Sequence, residues 1–400
     1  MKHTPFHDRT APLNRMQMWF NWDLSIVPDV YADMHEELRA TRTMASMGDM
    51  SPLSKYLIRG PEAGAFLDRL VTRDVEGLEI DQVAYTPWTD ERGKVVGDGL
   101  VFRTGEDEYR LTTDPQLGWL TRHADGFDVT IDDVTDDHGL LAVQGPRSVE
   151  VMDALTGVPF DDMAFSRTRT ASVAGADLLV ARQGFTGEHG YEMWVPREAG
   201  PSVWDAVAAA GEPFGIRPVG EHAIDVARVE AGLLIVGADY TGAGPDRPGS
   251  VIDLSFEHEA SPFEIGLGGF VDLGKETDFV GKSALDRETR AGGPRLRLVG
   301  LEVDHASVAG LFSRADRPTL LPDRVWWYPL DVSLDGRSVG HATSVTWAPT
   351  VGRIVGFGHV VEEAAIPGRD LSIRWTMNDA VGDVSARVVE LPFFRVRRNG

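Results

Sequence analysis

Alternating apolar and polar positions predict two strands around a polar loop near the middle of the chain. Residues Ala176–Ala181 form an apolar run, and residues 191–195 alternate with the two-residue period of a half-buried strand. The intervening loop carries three glycines and exceeds the roughly two to five residues of a plain hairpin. Glu192 is a carboxylate inside an otherwise apolar strand. It therefore either faces solvent or binds a ligand.

A strand–turn–helix pattern occurs twice at a constant spacing. Gly60 and Gly145 each follow an apolar strand and precede a proline and an amphipathic helix, and they lie 85 residues apart (145 − 60). Trp119 and Trp204, each in a helix that follows a strand, are again 85 residues apart (204 − 119). Matching offsets predict duplication of one α+β unit, with a pocket between two similar sheets. Coincidence of common patterns is the alternative.

The remaining periodicity predicts helices over residues 30–42 and within 216–236, and then a β-rich region. Beyond residue 293, short β-like runs alternate with turn residues and predict a separate small barrel or sandwich. These runs are residues 296–303, 325–332, 338–345, 352–360, 370–373 and 384–389. The acidic, Gly- and Pro-containing segment 238–259 is longer than a usual connection, which makes it either functional or mobile.

Composition narrows the classes of function. The 400 residues suffice for two or three domains, and the absence of cysteine excludes disulfides, thiolate nucleophiles and Cys-ligated metals. A formal net charge of −23 argues against nucleic acid or an anionic membrane as partner. The chain has no apolar run of the ~20 residues that a membrane span needs, and its N-terminus lacks a signal-peptide pattern. These features predict a cytoplasmic protein. The oligomeric state, monomer or homodimer, is left open by the sequence.

Residue types alone identify few chemical groups. No nucleophile elbow, phosphate-binding glycine loop or metal-spaced histidine pair is evident. His123, His222 and His258 each stand alone in the sequence, so no metal site is predicted. Asp98 lies between two glycines at the entry to an apolar strand. It is either a turn residue that binds its own backbone or an acid–base group with space around it.

An ordered series of segments from about residue 46 to the end resembles the glycine-cleavage T-protein (aminomethyltransferase) family. The first is Gly184-Phe185-Thr186-Gly187-Glu188-His189-Gly190-Tyr191-Glu192, similar to that family's G-Y-T-G-E-x-G-[FY]-E. The others are Arg228-Val229-Glu230-Ala231-Gly232-Leu233, Pro262-Phe263-Glu264-Ile265-Gly266-Leu267, Asp278-Phe279-Val280-Gly281-Lys282-Ser283-Ala284-Leu285 and Thr346-Trp347-Ala348-Pro349-Thr350-Val351-Gly352. A collinear set of this kind is far more specific than any one motif.

The resemblance implies an α+β fold of three domains in a cloverleaf, with two related α/β-sheet units and a C-terminal β-barrel-like domain around a central tetrahydrofolate channel. The expected first folate-binding domain comprises residues 1–55, 139–165 and 215–290. The second comprises 56–138 and 166–214, and the barrel-like domain comprises 291–400.

The resemblance also implies roles for individual residues. Glu192 would bind the pterin edge, because a carboxylate accepts two N–H bonds from an aminopyrimidinone. Asp98 matches the acidic group near the folate N5 and would be catalytic. Arg228 would serve the structure or the outer part of the folate. The positions expected to line the folate are Tyr85, Leu100, Phe102, Phe165 and Phe185.

Departures from the family pattern fall on the donor side of this site. Pro52, Gly97 and Ile224 stand where the family has His, Asp and Arg, and Phe185 replaces a Tyr. These departures favour a tetrahydrofolate-dependent methyltransferase that demethylates a small O-, N- or S-methylated donor and yields 5-methyltetrahydrofolate. Candidate donor-binding residues are Trp19, Trp22, Trp88, Tyr240 and His258. The alternatives are a true aminomethyltransferase of glycine cleavage and a folate-binding accessory protein without transfer activity.

Overall fold

The computed structural model describes residues 1–244, 258–395 and 397. Residues 245–257, which include part of the segment expected to be functional or mobile, lie outside the described residues. In the described part, no helix is long and apolar enough to cross a membrane. Its helices are α1 His7–Leu13, α2 Met34–Thr43, α3 Ala63–Leu70, α4 Leu117–His123, α5 Ser148–Thr156, α6 Gly200–Gly211, α7 Glu221–Glu230, α8 Lys282–Arg290 and α9 His305–Arg314.

The strands fall into four sheets. A three-stranded sheet contains β1 Lys2–His3, β2 Met18–Trp22 and β3 Ser25–Val30. The other strands are β4 Ser46–Asp49, β5 Ser54–Arg59, β6 Gln82–Thr89, β7 Val95–Arg103, β8 Glu108–Thr113, β9 Thr130–Asp133, β10 His138–Gln144, β11 Thr168–Val173, β12 Ala176–Ala181, β13 Gly190–Pro196, β14 Arg217–Val219, β15 Leu296–Val303, β16 Leu330–Leu334, β17 Arg337–Ala348, β18 Arg353–Val361, β19 Asp370–Trp375 and β20 Gly382–Val389.

The two larger open sheets have the same order of equivalent strands. One sheet runs β6-β7-β8-β5-β9, and the other runs β11-β12-β13-β10-β4-β14. Strands β5 and β10 each end at a glycine with positive φ, Gly60 at 137° and Gly145 at 125°, before α3 and α5. Trp119 and Trp204 lie at equivalent places in α4 and α6. The shared topology confirms the predicted duplication.

Strand pairing divides the chain differently from the predicted domains. Strands β11, β12 and β13, expected to join residues 56–138, instead pair in register with each other and with β10, which pairs with β4. The physical reason is the duplication itself, since each copy forms its own complete sheet. Residues 54–133 therefore form one sheet, and residues 138–196 form the other together with β4 and β14.

The C-terminal region forms a closed six-stranded barrel, in the order β15-β18-β17-β16-β19-β20. This agrees with the β-rich interpretation of residues beyond 293. The sequence analysis did not predict helix α9, which packs across the barrel through Val308, Leu311 and Phe312. Its signals are present in the sequence: Asp304 caps the first turn by accepting a hydrogen bond from the Ala306 N–H, and the three apolar residues share one face.

A small apolar cluster joins the two similar sheets. Phe102 on β7 packs edge-to-face on Trp194 on β13, with ring centroids 5.9 Å apart. Ala142, Met50 and the partly buried Leu100 belong to the same cluster. The cluster fixes β7 relative to β13, and these are the strands that carry Asp98 and Glu192.

A buried ionic network joins α7 to the barrel. Arg228 is completely buried and donates to Asp225 at 2.8 Å and to Asp239 at 2.5 Å. Its remaining nitrogen donates to the Ser344 hydroxyl of β17 at 2.8 Å. Ser344 has a φ of 52°, next to a register shift in β17 that places its hydroxyl against the network. All of these charges are paired, as burial requires.

Replacing Arg228 by Leu should strongly destabilise the protein, because Asp239 would remain buried without its cation. Losing one partner of a buried pair costs about 3–5 kcal/mol. The matched control is Arg297→Ala, which removes an exposed pair with Glu362 and should cost less than about 1 kcal/mol. Denaturant unfolding of both variants measures the difference. Equal losses of the free energy of unfolding would contradict the role assigned to the network.

Candidate functional site

Asp98 lies on β7 with its carboxylate held between two phenols. The Tyr85 hydroxyl donates to Oδ2 at 2.8 Å, and the Tyr240 hydroxyl donates to Oδ1. Tyr85 comes from the neighbouring strand β6, whereas Tyr240 comes from the segment after α7. Burial raises the pKa of Asp98 above its usual value, and the two hydroxyls partly oppose that shift. A carboxyl with a raised pKa is a stronger base than an ordinary Asp, which suits it to proton transfer.

The glycines around Asp98 serve packing behind the strand. A Cβ on Gly97 would lie 2.9 Å from the ring of Trp88, and a Cβ on Gly99 would lie 2.4 Å from the Thr112 carbonyl oxygen. Both positions face the opposite side of the strand from Asp98. The expectation that these glycines make space around the carboxylate is therefore wrong. They let the first sheet close tightly, which presents Asp98 on the other face.

Two further acidic residues lie close to Asp98, and the sequence analysis did not select them. Asp114 follows directly after β8, and burial raises its pKa to about 7, with the charges of Asp98 and Asp23 adding to the shift. Asp23 lies in the turn between β2 and β3, with a φ of 54°. The sequence signal that could have identified Asp114 is its position as a carboxylate at the end of an apolar strand. This side of the site is thus rich in carboxyl groups that disfavour one another's charged forms.

Glu192 lies on β13 between two small neighbours. Its cross-strand partners are Ala142 on β10 and Ala181 on β12, so space remains around the carboxylate. The side chain is buried and accepts no hydrogen bond from any residue that the structure describes. Burial alone raises its pKa to about 7. A buried carboxylate with acceptor capacity left over is suited to a ligand that donates N–H groups.

A small cavity opens at Glu192. Its lining residues are Gly48, Met50, Ala142, Gln144, Phe185, Thr186, Glu192, Val219 and Ile224. A second small cavity shares Val219 and Ile224 with it and reaches Trp22. Apolar walls with one convergent carboxylate are typical of a small-molecule site.

The predicted folate-lining residues fall into three places. Tyr85 contacts Asp98, and Phe185 lines the Glu192 cavity. Leu100 and Phe102 lie in the apolar cluster between the sheets. Phe165 is partly buried beside Ser166, whose carbonyl oxygen accepts a hydrogen bond from the Val83 N–H of β6 at 2.8 Å. Their assignment to folate stays a prediction.

Other predicted residues divide between the site and the interior. Tyr240 lies at the site because its hydroxyl donates to Asp98, and Trp22 lies there because it lines the second cavity. Trp88 is fully buried in the core of the first sheet, and Trp19 stacks on His7 at 5.4 Å, so the structure brings neither to Asp98. Arg228 directs its donors to protein groups, which supports the structural alternative over a folate contact.

His258 does not stand alone, which corrects the sequence analysis. It is grouped with His341 and His359 of the barrel, residues whose sequence positions gave no spacing signal. Their proximity depends on the pairing of β17 with β18.

The sequence matches two family models that span most of its length. Residues 14–245 match the GCVT N-terminal domain, and residues 297–395 match the glycine cleavage T-protein C-terminal barrel domain. The chain belongs to the glycine cleavage T-protein superfamily. This confirms the resemblance noted from the motifs. The chain is accordingly a folate-dependent one-carbon transferase, and tetrahydrofolate is confirmed as its cofactor class.

Individual relatives are similar over their whole length. An aminomethyltransferase of Moorella thermoacetica is 32% identical over 403 residues, which cover 99% of this chain and 98% of the relative. An aminomethyltransferase of Bacillus subtilis is 30% identical over 404 residues, covering 99% of both. The crystal structure of aminomethyltransferase T from Bartonella henselae has a TM-score of 0.81, with 23% identity and 99% coverage of both chains. This last similarity confirms the predicted fold class.

The residues of this chain fit a bound tetrahydrofolate. Glu192 supplies the uncompensated acceptor that an aminopyrimidinone ring requires, and Phe185 and Met50 supply apolar surface beside it. Asp98 supplies an acid–base group on the neighbouring sheet.

Replacing Glu192 by Ala should weaken tetrahydrofolate binding about tenfold to a hundredfold. Hydrogen bonds to a charged group contribute roughly 1.5–3 kcal/mol, and the variant loses them. The control Glu198→Ala removes an exposed carboxylate and should bind normally. Calorimetry under anaerobic conditions measures both affinities. Unchanged affinity in the Glu192 variant would exclude its role as pterin anchor.

Glu192 should also make the ligand-free protein less stable at higher pH. Its pKa is raised to about 7 in the folded state, so the folded protein holds a proton that the unfolded chain loses near pH 4.5. Stability is then fully present below about pH 4.5 and falls as pH rises to about 7, by on the order of 3 kcal/mol. Glu192→Gln should remove this part of the pH dependence. Parallel pH profiles of unfolding in both proteins would contradict the shift.

Proposed function

We propose that this protein transfers an aminomethyl-type one-carbon unit from an ammonium-bearing donor to tetrahydrofolate. The observation that carries the proposal is the half-buried Asp98 carboxyl, with its raised pKa, held by two tyrosine hydroxyls. Full-length similarity to proteins named aminomethyltransferase favours this form of the reaction over the others.

Asp98 has the properties of the proton-transfer group. Tetrahydrofolate, when bound, supplies the nucleophilic nitrogen that accepts the one-carbon unit. Asp98 would accept the proton released from that nitrogen, since its raised pKa makes it a stronger base than an ordinary Asp. Tyr85 and Tyr240 would hold the carboxylate in one orientation and stabilise its charged form.

The carboxyl groups around Asp98 support a cationic donor, because a bound cation would favour their ionised forms. Asp114 has its pKa raised by burial and then by Asp98 and Asp23, which means that these carboxylates repel one another. A bound ammonium group would relieve this repulsion. Trp22, next to Asp23, offers an aromatic face of the kind that binds cations.

Demethylation of a small methylated donor is the second candidate. The specific observation in its favour is that Tyr240, from the segment after α7, covers Asp98, while Pro52, Gly97 and Ile224 replace polar residues of the family pattern. A sulfonium or quaternary ammonium donor would satisfy the same acidic surroundings. In this reaction, the product would be methylated folate and the demethylated donor.

Turnover with defined donors decides between the two reactions. The purified protein would be incubated with tetrahydrofolate and either an aminomethylated lipoyl carrier protein or a panel of free O-, N- and S-methyl donors. Release of ammonia only when the aminomethylated lipoyl carrier protein is the donor supports aminomethyl transfer. Methylated folate formed without the carrier supports demethylation and overturns the leading proposal.

Asp98→Asn should lower turnover at least about a hundredfold and leave tetrahydrofolate binding nearly unchanged, since it removes the proton acceptor and keeps the shape. Asp161→Asn, an exposed change, is the control. Single-turnover rates and folate affinities are the measurements. Normal turnover in the Asp98 variant would refute its role. A wild type that binds tetrahydrofolate but turns over none of the donors would instead favour the accessory-protein alternative.

A further inference from the structure

Three histidines from distant parts of the sequence converge beside the barrel. His341 on β17 and His359 on β18 are directly paired across the two antiparallel strands, and their rings stack 4.9 Å apart. The ring of His258 meets them edge-on, with its centroid 4.6 Å from His341 and 5.2 Å from His359. One nitrogen from each ring lies within 4.8 Å of the others.

Burial keeps all three rings neutral. The pKa is lowered to about 4 for His258, about 2 for His341 and about 3 for His359, in each case chiefly because burial disfavours the charged ring. Neutral imidazole is the form that binds metal ions. No protonation therefore competes with a metal ion at physiological pH.

The surroundings of His359 direct one of its nitrogens into the cluster. Its Nε2 lies 3.4 Å from the Thr343 hydroxyl, and that hydroxyl donates to Asp239 Oδ1 at 2.8 Å. Thr343 thus offers His359 a lone pair, which favours the tautomer with hydrogen on Nε2. The Nδ1 atom is buried without a hydrogen-bond partner among the residues that the structure describes. A chain from ring to hydroxyl to carboxylate is typical of metal-binding histidines.

We propose that His258, His341 and His359 form a site for one divalent transition-metal ion of the zinc class, with a fourth coordination position left for water or a ligand. Three protein ligands and an open position are typical of exchangeable zinc sites. Nitrogens around tetrahedral zinc lie about 3.3 Å apart, so the rings need only turn slightly inward. Among the described residues the group consists of imidazoles, which favours zinc, nickel or cobalt over magnesium.

The ion would connect the segment that carries Tyr240 to the barrel. The Thr241 N–H donates to the His258 carbonyl oxygen at 2.9 Å, and the His258 N–H contacts the Thr241 hydroxyl at 3.1 Å. Tyr240 directly precedes Thr241 in the chain and donates to Asp98. Metal binding would therefore stabilise the part of the chain that covers the catalytic carboxylate. The charged groups that face the cluster are Lys94, which pairs with Glu264 at 2.8 Å, and Arg295 and Asp239.

Metal titration of the full-length protein tests the proposal. After chelator treatment and buffer exchange, Zn²⁺ binding would be measured by calorimetry and Co²⁺ binding by visible absorption, with Mg²⁺ as the comparison ion. We expect one Zn²⁺ per chain, a tetrahedral Co²⁺ spectrum, no Mg²⁺ binding and a rise in melting temperature with Zn²⁺. Absence of saturable Zn²⁺ binding to the wild type would overturn the proposal without any variant.

Variants locate the ion. His359→Ala and His341→Ala should each weaken binding at least a hundredfold. The control is His3→Ala, because the exposed His3 ring stacks on His7 at 3.6 Å and is a natural place for adventitious metal. Binding lost in His3→Ala and retained in His359→Ala would overturn the proposal. If the alanine variants do not fold, His359→Gln preserves the ring's approximate volume and provides the same comparison.

Discussion

The pairing of Arg228 with Asp239 is the constraint on which the arrangement of the domains depends. Both side chains are completely buried, so neither charge can be compensated by water. Each must find its partners across a domain boundary, and the Ser344 and Thr343 hydroxyls on β17 complete the set for Asp239. Helix α7, the segment after it and the barrel can therefore meet in only one relative position.

This constraint also affects the candidate site, because Asp239 and Tyr240 are adjacent in the chain. Asp239 is fixed by Arg228, and the following residue, Tyr240, donates to Asp98. The orientation of the Asp98 carboxyl on β7 is thereby linked to the position of the barrel. At Glu192, two flanking alanines allow a carboxyl group to remain in the interior of a sheet. In both cases burial raises the pKa of the carboxyl group.

The sequence revealed those features that are local or periodic. The strands at 176–181 and 296–303, the duplication and the barrel follow from alternation and turn residues, which act over a few positions. Motif order identified Glu192 and Asp98. The sequence analysis did not select Asp114, His341 and His359, because strand pairing brings each of them close to residues that are distant in the sequence. The pairing of β13 with β10 was likewise beyond the sequence, since alternation predicts a strand but not its neighbours.

The two sheets share their strand order but differ in the candidate site residues that they carry. Asp98 belongs to the first copy and Glu192 to the second, yet the positions 85 residues away from each, Gln183 and Asp107, do not repeat them. Gln183 instead bonds Ser166, and Asp107 lies outside the strands. Each candidate role therefore belongs to one copy of the duplicated unit. Loss of Asp98 or of Glu192 would not be compensated by the equivalent position in the other copy.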